Sequence, residues 1–310
     1  MEVINVVEQG SVIKKTDIQF CIYKEGVLNE RIPYFKVDKI VLWGNQTVTT
    51  AAFNLAFEKG IDIIFLSLNG RFRGKVVGKT SKNIYVRLAQ YELWRDLEER
   101  LKISKIVIRG KTNNQIKLLK AYGINTDSLK ENQLKIDNAN DIKELMGIEG
   151  IISKDYFSAF SNIIRNEQFI FNGRNRRPPK DEVNAMLSLT YSLVLSRIIM
   201  EMESIGLDTY LGFLHSVKYG REALALDILE EFRQGFADRF VIKLINRKEF
   251  KKGDFISTDE DGYRFTEVAF RKYLLKFNKE FEKIEPDIKK QVGGIKNYIL
   301  FKENYVTYSG

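Results

Sequence analysis

The stretch Asp17-Ile18-Gln19-Phe20-Cys21-Ile22 sets the character of the first part of the chain. Its large apolar side chains recur at every second residue, which is the period of a β-strand with one buried face. The following Lys24-Glu25-Gly26 supplies a turn, so the pattern predicts a hairpin. Two further runs rich in Ile, Val and Phe, residues 39–43 and 61–66, predict more strands. This segment is therefore expected to be rich in β-structure.

The periodicity changes along the chain. One helix is predicted over residues 50–59, with Gly60 able to end it in the left-handed conformation. After Ser81-Lys82-Asn83 apolar residues recur at helical spacing through most of the remaining chain. The predicted helices cover residues 88–101, 103–122, 142–171, 181–205, 221–248 and 267–283. Asp181, just after Pro178-Pro179, is a suitable N-cap, and a short hairpin is expected around Phe255 and Tyr263.

These patterns predict an α+β fold in two domains. Residues 1–82 form a small β-rich, β-sandwich-like N-terminal domain, and residues 83–310 form a larger all-α domain. A chain of 310 residues with 44% hydrophobic and 29% charged residues is long and apolar enough to bury a core, which excludes wholesale disorder.

Composition excludes several kinds of site. A single cysteine, Cys21, rules out an intramolecular disulfide and multi-cysteine zinc sites, and a single histidine, His215, rules out metal sites with two histidines from one chain. Lys and Arg number 50 against 41 Asp and Glu, a net charge of +9, which favours a polyanionic partner.

No membrane segment is expected. The start of the chain has neither a basic region nor a long apolar stretch, so we expect a cytoplasmic protein. Residues 183–196 lack charge, but they are shorter than the ~20 apolar residues that a membrane span needs. They are expected to form a buried core helix.

A basic loop is the first candidate for function. Residues 161–180 hold one acid against five basic residues: Arg165, Arg174, Arg176, Arg177 and Lys180. Guanidinium groups on a loop stiffened by two prolines can bind phosphates in a fixed register. The alternative is a solvated loop that pairs with acidic helix ends.

An acidic cluster is the second candidate. On a helix, Glu230 and Glu231 lie one turn beyond Asp227, so three carboxylates share a stripe and repel unless a cation compensates. Salt bridges to Arg221 and Arg233, or an exposed stripe, would also account for them.

His215 precedes Asp227 by twelve residues. A histidine beside Phe213 and Leu214 is often a packed core residue, but with a helical acid pair it could hold Mg²⁺ or Mn²⁺.

Taken together, these clusters resemble the CRISPR adaptation integrase and DNA endonuclease family, Cas1. Four ordered blocks carry the resemblance: Lys111-Thr112-Asn113-Asn114-Gln115 with Leu118-Leu119, Gly147-Ile148-Glu149-Gly150 with Tyr156-Phe157, residues 173–191, and residues 206–233. The last two blocks are long and specific, and the resemblance spans essentially the whole chain.

The resemblance implies a site and a chemistry. The family's metal ligands match Glu149, His215 and Asp227, with Glu230 as a further acid of the site, and the cation would be Mg²⁺ or Mn²⁺. Such an enzyme inserts spacer DNA into a CRISPR array by attack of a 3′-hydroxyl on a phosphodiester. Six basic residues are then candidates for DNA phosphate contacts: Arg174, Arg176, Arg177, Lys180, Lys218 and Arg221.

The resemblance also implies partners. These are double-stranded and branched DNA, a homodimer formed through the β-rich domains, and the small second CRISPR adaptation protein of the Cas2 family, with one site in each dimer joining DNA. Two other functions stay open. The chain could be a nonenzymatic nucleic-acid-binding scaffold whose acids are only salt-bridged, or a structure-specific metal-dependent DNase without joining activity.

Overall fold

A computed structural model describes residues 2–68, 70, 72–76, 84–176, 178–258 and 262–310 of the chain. The chain divides into two compact units, residues 1–80 and 81–310. The predicted domain boundary, between residues 82 and 83, lies outside the described residues and stays a prediction.

The first unit contains two four-stranded sheets. In the first sheet three neighbouring strands are parallel and the last is antiparallel, in the order β1 (Glu2–Val6), β5 (Val37–Trp43), β7 (Asp62–Leu66), β8 (Phe72–Val76). The second sheet has the order β4 (Val27–Pro33), β3 (Gln19–Lys24), β2 (Val12–Thr16), β6 (Thr47–Val48). One helix, α1 (Thr50–Lys59), follows β6.

The stretch that predicted the first hairpin forms β3, which pairs with β4 through a turn at Glu25 and Gly26, both with positive φ. The predicted alternation of buried apolar and exposed polar residues along this stretch is only partly correct. Cys21 is as buried as Phe20 although it lies on the other face of the sheet, where the long side chains of Lys14 and Arg31 flank it on the neighbouring strands. Ile18 falls in the preceding turn and is 54% exposed.

Both sheets and α1 contribute to one core, which confirms the sandwich-like prediction. Ile13 and Phe20 from one sheet pack in the same cluster as Ile40 and Ile63 from the other and Leu55 of α1. Short-range signals set the ends of α1: the Thr49 side chain accepts a hydrogen bond at its start, and Gly60 closes it at φ 67°.

The second unit is mainly helical. Its helices are α2 (Ile84–Arg95), α3 (Leu97–Ala121), α4 (Asp127–Leu134), α5 (Ile142–Phe160), α6 (Glu182–Ser204), α7 (Ala223–Phe232), α8 (Arg239–Asn246), α9 (Glu267–Phe281) and α10 (Glu285–Phe301). A π-helical segment, Arg233–Asp238, joins α7 to α8. This unit is not entirely α-helical, because β9 (Phe255–Thr258) and β10 (Gly262–Phe265) form the short antiparallel hairpin that the sequence indicated.

The prediction of one helix over residues 142–171 was too long. The helix ends at Phe160, and Asn166 makes side-chain bonds to the backbone of Ile245 and Gln168 that a continued helix would prevent. Helices α4 and α10 were not predicted. Helix α4 is short and largely polar, whereas α10 buries Ile288, Val292, Ile295 and Ile299 at helical spacing, a signal that was available in the sequence.

Helix α6 is largely buried within the second unit, where it packs against α7, α8 and α10. Asp181 caps it by accepting a hydrogen bond from the backbone N–H of Asn184 at 2.7 Å, as predicted. Among the described residues α6 is the one helix long and apolar enough to cross a membrane, but 78% of its apolar window is buried inside the fold. That burial is the behaviour of a core helix.

Candidate active site

Three helices bring a lysine and two glutamates together. Lys111 of α3, Glu149 of α5 and Glu230 of α7 have side-chain exposures of 8%, 17% and 6%. The Lys111 ammonium forms an ion pair with Glu149 Oε1 and lies 2.6 Å from Glu230 Oε2. Ser153, one turn beyond Glu149, donates a hydrogen bond to Glu149 Oε1 at 2.6 Å. A single cationic group therefore serves both carboxylates.

Asp227 organises the loop that carries His215. Its Oδ2 accepts the backbone N–H groups of Phe213 at 2.6 Å and Leu214 at 3.0 Å. Its Oδ1 accepts the backbone N–H of His215 at 2.9 Å and lies 2.7 Å from His215 Nδ1. With Nδ1 donating to Asp227, Nε2 of a neutral ring is left as an acceptor, and it lies 3.9 Å from Glu230 Oε1.

The cluster is electrostatically paired. Burial would raise the pKa of Glu230, but the charges of Arg233 and Lys111 outweigh burial and hold that pKa below its usual value. Burial would lower the pKa of Lys111, but Glu230 and Glu149 outweigh it and raise that pKa. Arg233 Nε donates to Glu230 Oε1 at 3.0 Å, so the predicted salt bridge from Arg233 is confirmed for Glu230. The alternative prediction, that the three acids form an exposed stripe, is wrong, because Asp227, Glu230 and Glu231 are all buried.

The basic loop reaches the same region. A cleft of about 690 Å³ runs along α5, lined on one side by Gly150, Ser153 and Lys154 of that helix and on the other by Arg174 and Arg176 of the loop. Ser153 connects it to the cluster, because its hydroxyl also donates to Glu149. The basic loop and Glu230 of α7 are far apart along the chain, and both lie close to α5.

Arg174 is used largely within the protein. Its guanidinium donates to Asn184 Oδ1 at 2.8 Å and to Ser188 Oγ at 3.0 Å, and it lies 5.3 Å from the centre of the Tyr191 ring. These contacts fix the loop to α6.

The other basic candidates differ in exposure. Arg176, Lys180 and Lys218 are exposed, and Arg221 is half-buried. Arg177 lies outside the described residues. DNA contacts by these residues stay a prediction.

Sequence reasoning missed the role of Lys111 and the link from Arg233 to the Tyr191 ring, 4.5 Å away. Lys111 opens the first of the four blocks that resemble the Cas1 family. Its position relative to Val107, Ile108 and Leu118 places it on the buried stripe of α3, and a lysine at such a position was the available signal.

The chain is similar to known proteins over most of its length. The family model described as CRISPR associated protein Cas1 matches residues 4–279. The chain belongs to the Cas1 family. The CRISPR-associated endonuclease Cas1 3 of Thermus thermophilus is 36% identical over 244 residues, covering 78% of this chain and 73% of the relative. The endonuclease Cas1 2 of Rhodospirillum rubrum is 33% identical over 304 residues, covering 92% and 87%.

Solved structures share the fold. A Cas1 protein from Thermotoga maritima superposes with a TM-score of 0.87 at 24% identity, covering all of both chains. A casposase bound to integration product gives a TM-score of 0.86 at 23% identity, covering 99% of this chain and 93% of that one. A Cas6-RT-Cas1–Cas2 complex gives 0.85 at 24% identity, covering 99% and 36%.

The donor set of this Cas1 protein suits a hard divalent cation. Two carboxylates share one cationic position, and an imidazole nitrogen lies nearby, a combination of ligands that Mg²⁺ and Mn²⁺ accept. Within the described part of the chain, no group of three Asp, Glu, His or Cys side chains lies close enough together to hold one ion. The residues fit the ion by chemistry, and the Lys111 ammonium occupies the position between the carboxylates.

Proposed function

We propose that this Cas1 protein is a divalent-metal-dependent DNA endonuclease and integrase that inserts spacer DNA into a CRISPR array. The observation that carries the proposal is the carboxylate pair of half-buried Glu149 and buried Glu230, which shares one cationic position. Ser153, which donates to Glu149, also lines a cleft walled by Arg174 and Arg176. Two carboxylates this close together and shielded from water need a cation, and an arginine-lined cleft suits a phosphodiester.

In the proposed joining step a 3′-hydroxyl oxygen attacks the phosphorus of an acceptor strand. The new P–O bond forms as the bond to the outgoing 3′-oxygen breaks, and the hydroxyl proton ends on that oxygen. Hydrolysis follows the same course with water as the attacking group.

We propose that Glu149, Glu230 and Nε2 of His215 would hold the Mg²⁺ or Mn²⁺ ion. The sequence predicted Asp227 as the third ligand instead of Glu230, but Asp227 lies on the Nδ1 side of the His215 ring and accepts three backbone N–H groups, so we propose that it orients the histidine. The bound ion would neutralise negative charge that develops on the phosphate. Asp227 fixes the His215 ring so that Nε2 faces the acids, which supports this role for the histidine.

DNA phosphates are proposed to contact Arg176, Lys180, Lys218 and Arg221, together with Arg177. Arg174 would act mainly by holding the loop in place, with its remaining surface lining the cleft. Exposed lysines and arginines pair with phosphate without reading sequence, so these contacts would position the duplex.

The proposed assembly is a homodimer formed through the first unit, bridged to a second dimer by the Cas2-family protein in the cytoplasm. The Cas6-RT-Cas1–Cas2 complex with the same fold supports a Cas2-type partner. A strand-rich unit of about 80 residues with open sheet edges gains from pairing. A monomeric mass at micromolar concentration would contradict the homodimer.

One observation favours a second candidate. Glu230 is paired with both Lys111 and Arg233, as expected for a scaffold whose acids are only salt-bridged. A scaffold would bind DNA equally well with and without divalent metal.

The deciding experiment is strand transfer of a fluorescent duplex with free 3′-hydroxyls into a supercoiled plasmid carrying a CRISPR repeat, with the Cas2-family partner present. Wild type is compared with His215→Ala, in Mn²⁺ or EDTA. We expect joined product only with Mn²⁺, and a fall of at least about 100-fold in the variant.

Leu275→Ala, at a 73% exposed position on α9, is the control and should behave as wild type. Intact DNA binding without product in any condition would select the scaffold. Metal-dependent cleavage of branched DNA without joined product would select the DNase.

A further inference from the structure

Lys111 lies between two acids of the proposed site. It is not one of the proposed metal ligands, and the proposed reaction gives it no role. Its side chain is 8% exposed, and its ammonium contacts one carboxylate from α5 and one from α7. A lysine is rarely buried unless it is paired, so this position is maintained by the two glutamates.

The pairing is mutual. Two ionised carboxylates that approach one point repel each other, and their burial is costly without a positive charge. Arg233 reaches Glu230 Oε1, whereas Lys111 is the group that touches both Glu230 and Glu149. Lys111 therefore holds α5 and α7 together at this point through charge.

A divalent cation between Glu149 and Glu230 would need the position that the ammonium now fills. Two positive groups a few ångströms apart in a buried site repel strongly, so both cannot stay there. The lysine side chain has a flexible four-carbon stem, which allows its ammonium to move away without movement of α3.

We propose that Lys111 is a positioning residue that keeps Glu149 and Glu230 assembled in the metal-free protein and is displaced when the divalent cation binds. The inference rests on the metal site of the proposed function. The Lys111 ion pairs and the bound divalent ion then exclude each other. Lys111 therefore lowers the apparent metal affinity of the free protein.

The test is Mn²⁺ binding to the full-length, DNA-free protein, followed by the electron paramagnetic resonance signal of free Mn²⁺. Lys111→Met keeps the length of the side chain and removes the charge. We expect Mn²⁺ to bind at least about tenfold more tightly to this variant than to wild type, because the competing cation is gone. In EDTA its melting temperature should fall, and Mn²⁺ should raise that temperature by more than it does in wild type.

Two matched variants separate competition from general structural damage. Lys111→Arg retains the charge and should restore wild-type Mn²⁺ affinity. Lys243→Met removes a lysine that pairs with Glu280 at 2.9 Å on other helices, and it should leave Mn²⁺ affinity unchanged. Unchanged or weaker Mn²⁺ binding by folded Lys111→Met would overturn the inference while leaving the metal site intact.

A measurement on wild type covers the case in which Lys111→Met does not fold. Amine-reactive labelling, read by mass spectrometry, should modify Lys111 slowly in EDTA and several-fold faster in Mn²⁺, relative to Lys243. Equal labelling of Lys111 in both conditions, with Mn²⁺ shown to be bound, would contradict displacement. If wild type binds no Mn²⁺ at all, the metal site itself fails, and this inference fails with it.

Discussion

Two adjacent glutamates of α7 face opposite surroundings. Glu230 lies among Lys111, Arg233 and His215 and is held ionised. Glu231, also buried, accepts hydrogen bonds from the Tyr305 hydroxyl at 2.5 Å and the Tyr308 backbone N–H at 2.8 Å. Burial outweighs these two bonds and raises the pKa of Glu231 to about 7. Neighbours in sequence thus receive opposite pKa shifts from their packing.

The raised pKa of Glu231 predicts a pH-dependent stability. Because the folded state binds the proton more tightly than the unfolded state, the contribution of Glu231 to the free energy of unfolding falls as pH rises from 4.5 to about 7. Glu231→Gln removes this dependence. The free energy of unfolding of the variant, relative to wild type, should therefore rise across that range by up to about 1.4 kcal/mol per pH unit.

Urea unfolding at a series of pH values measures this difference. Glu131→Gln, at an exposed position on α4, is the control and should show no comparable trend. A difference between Glu231→Gln and wild type that stays constant with pH would show that the Glu231 pKa is not raised.

At the scale of elements, residues 303–310 form a strap across α3 and α7. Asn114 of α3 donates to the Tyr308 carbonyl at 2.9 Å, and the Tyr308 ring stacks on Phe232 of α7 at 4.5 Å. Asn114 also donates to the Glu231 carbonyl at 2.9 Å. Because α3 carries Lys111 and α7 carries Asp227 and Glu230, the strap helps to fix the helices of the proposed site.

The close approach of the strap to α3 requires a glycine. A Cβ at Gly110 would lie 2.5 Å from Thr307 Oγ1, too close for the strap to stay in place. Gly110→Ala should therefore lower the free energy of unfolding by about 1–3 kcal/mol, although alanine is the better helix former.

Gly147→Ala is the matched control for that prediction. Gly147 also lies inside a helix, α5, but a Cβ there meets nothing within 4 Å. This substitution should raise the free energy of unfolding by about 0.5–1 kcal/mol. Urea unfolding compares both variants, and equal effects of the same sign would refute the steric role of Gly110.

At the scale of the whole molecule, the chain carries a net charge of +9. Arg176, Lys180 and Lys218 present part of this positive charge to solvent, where it can meet DNA phosphates. Binding that depends on phosphate contacts releases counterions, so affinity for branched duplex DNA should fall steeply over about a tenfold range of salt concentration. Lys180→Gln should weaken binding and reduce the slope of log K against log salt by about one.

Fluorescence anisotropy with a labelled branched duplex measures these slopes. Lys279→Gln removes the same charge from an exposed position on α9 and should leave the slope unchanged. An affinity that is flat with salt would rule out a phosphate-dominated interface.

Sequence by itself determined the elements whose signals are local. Apolar alternation predicted β3, Gly60 was predicted to end α1 and Asp181 to cap α6, because caps and periodicity depend on residues a few positions apart. The contact between His215 and Asp227 also spans only twelve residues. The resemblance to Cas1 singled out Glu149, which residue spacing alone did not.

Only the tertiary structure decided how the site is assembled. The Lys111 contacts to Glu149 and Glu230 depend on how three helices pack, and the internal use of Arg174 depends on the position of α6. The early end of α5 follows from bonds between Asn166 and distant backbone. Local sequence specifies backbone periodicity, whereas the pairing of buried charges follows from contacts that form only when the helices come together.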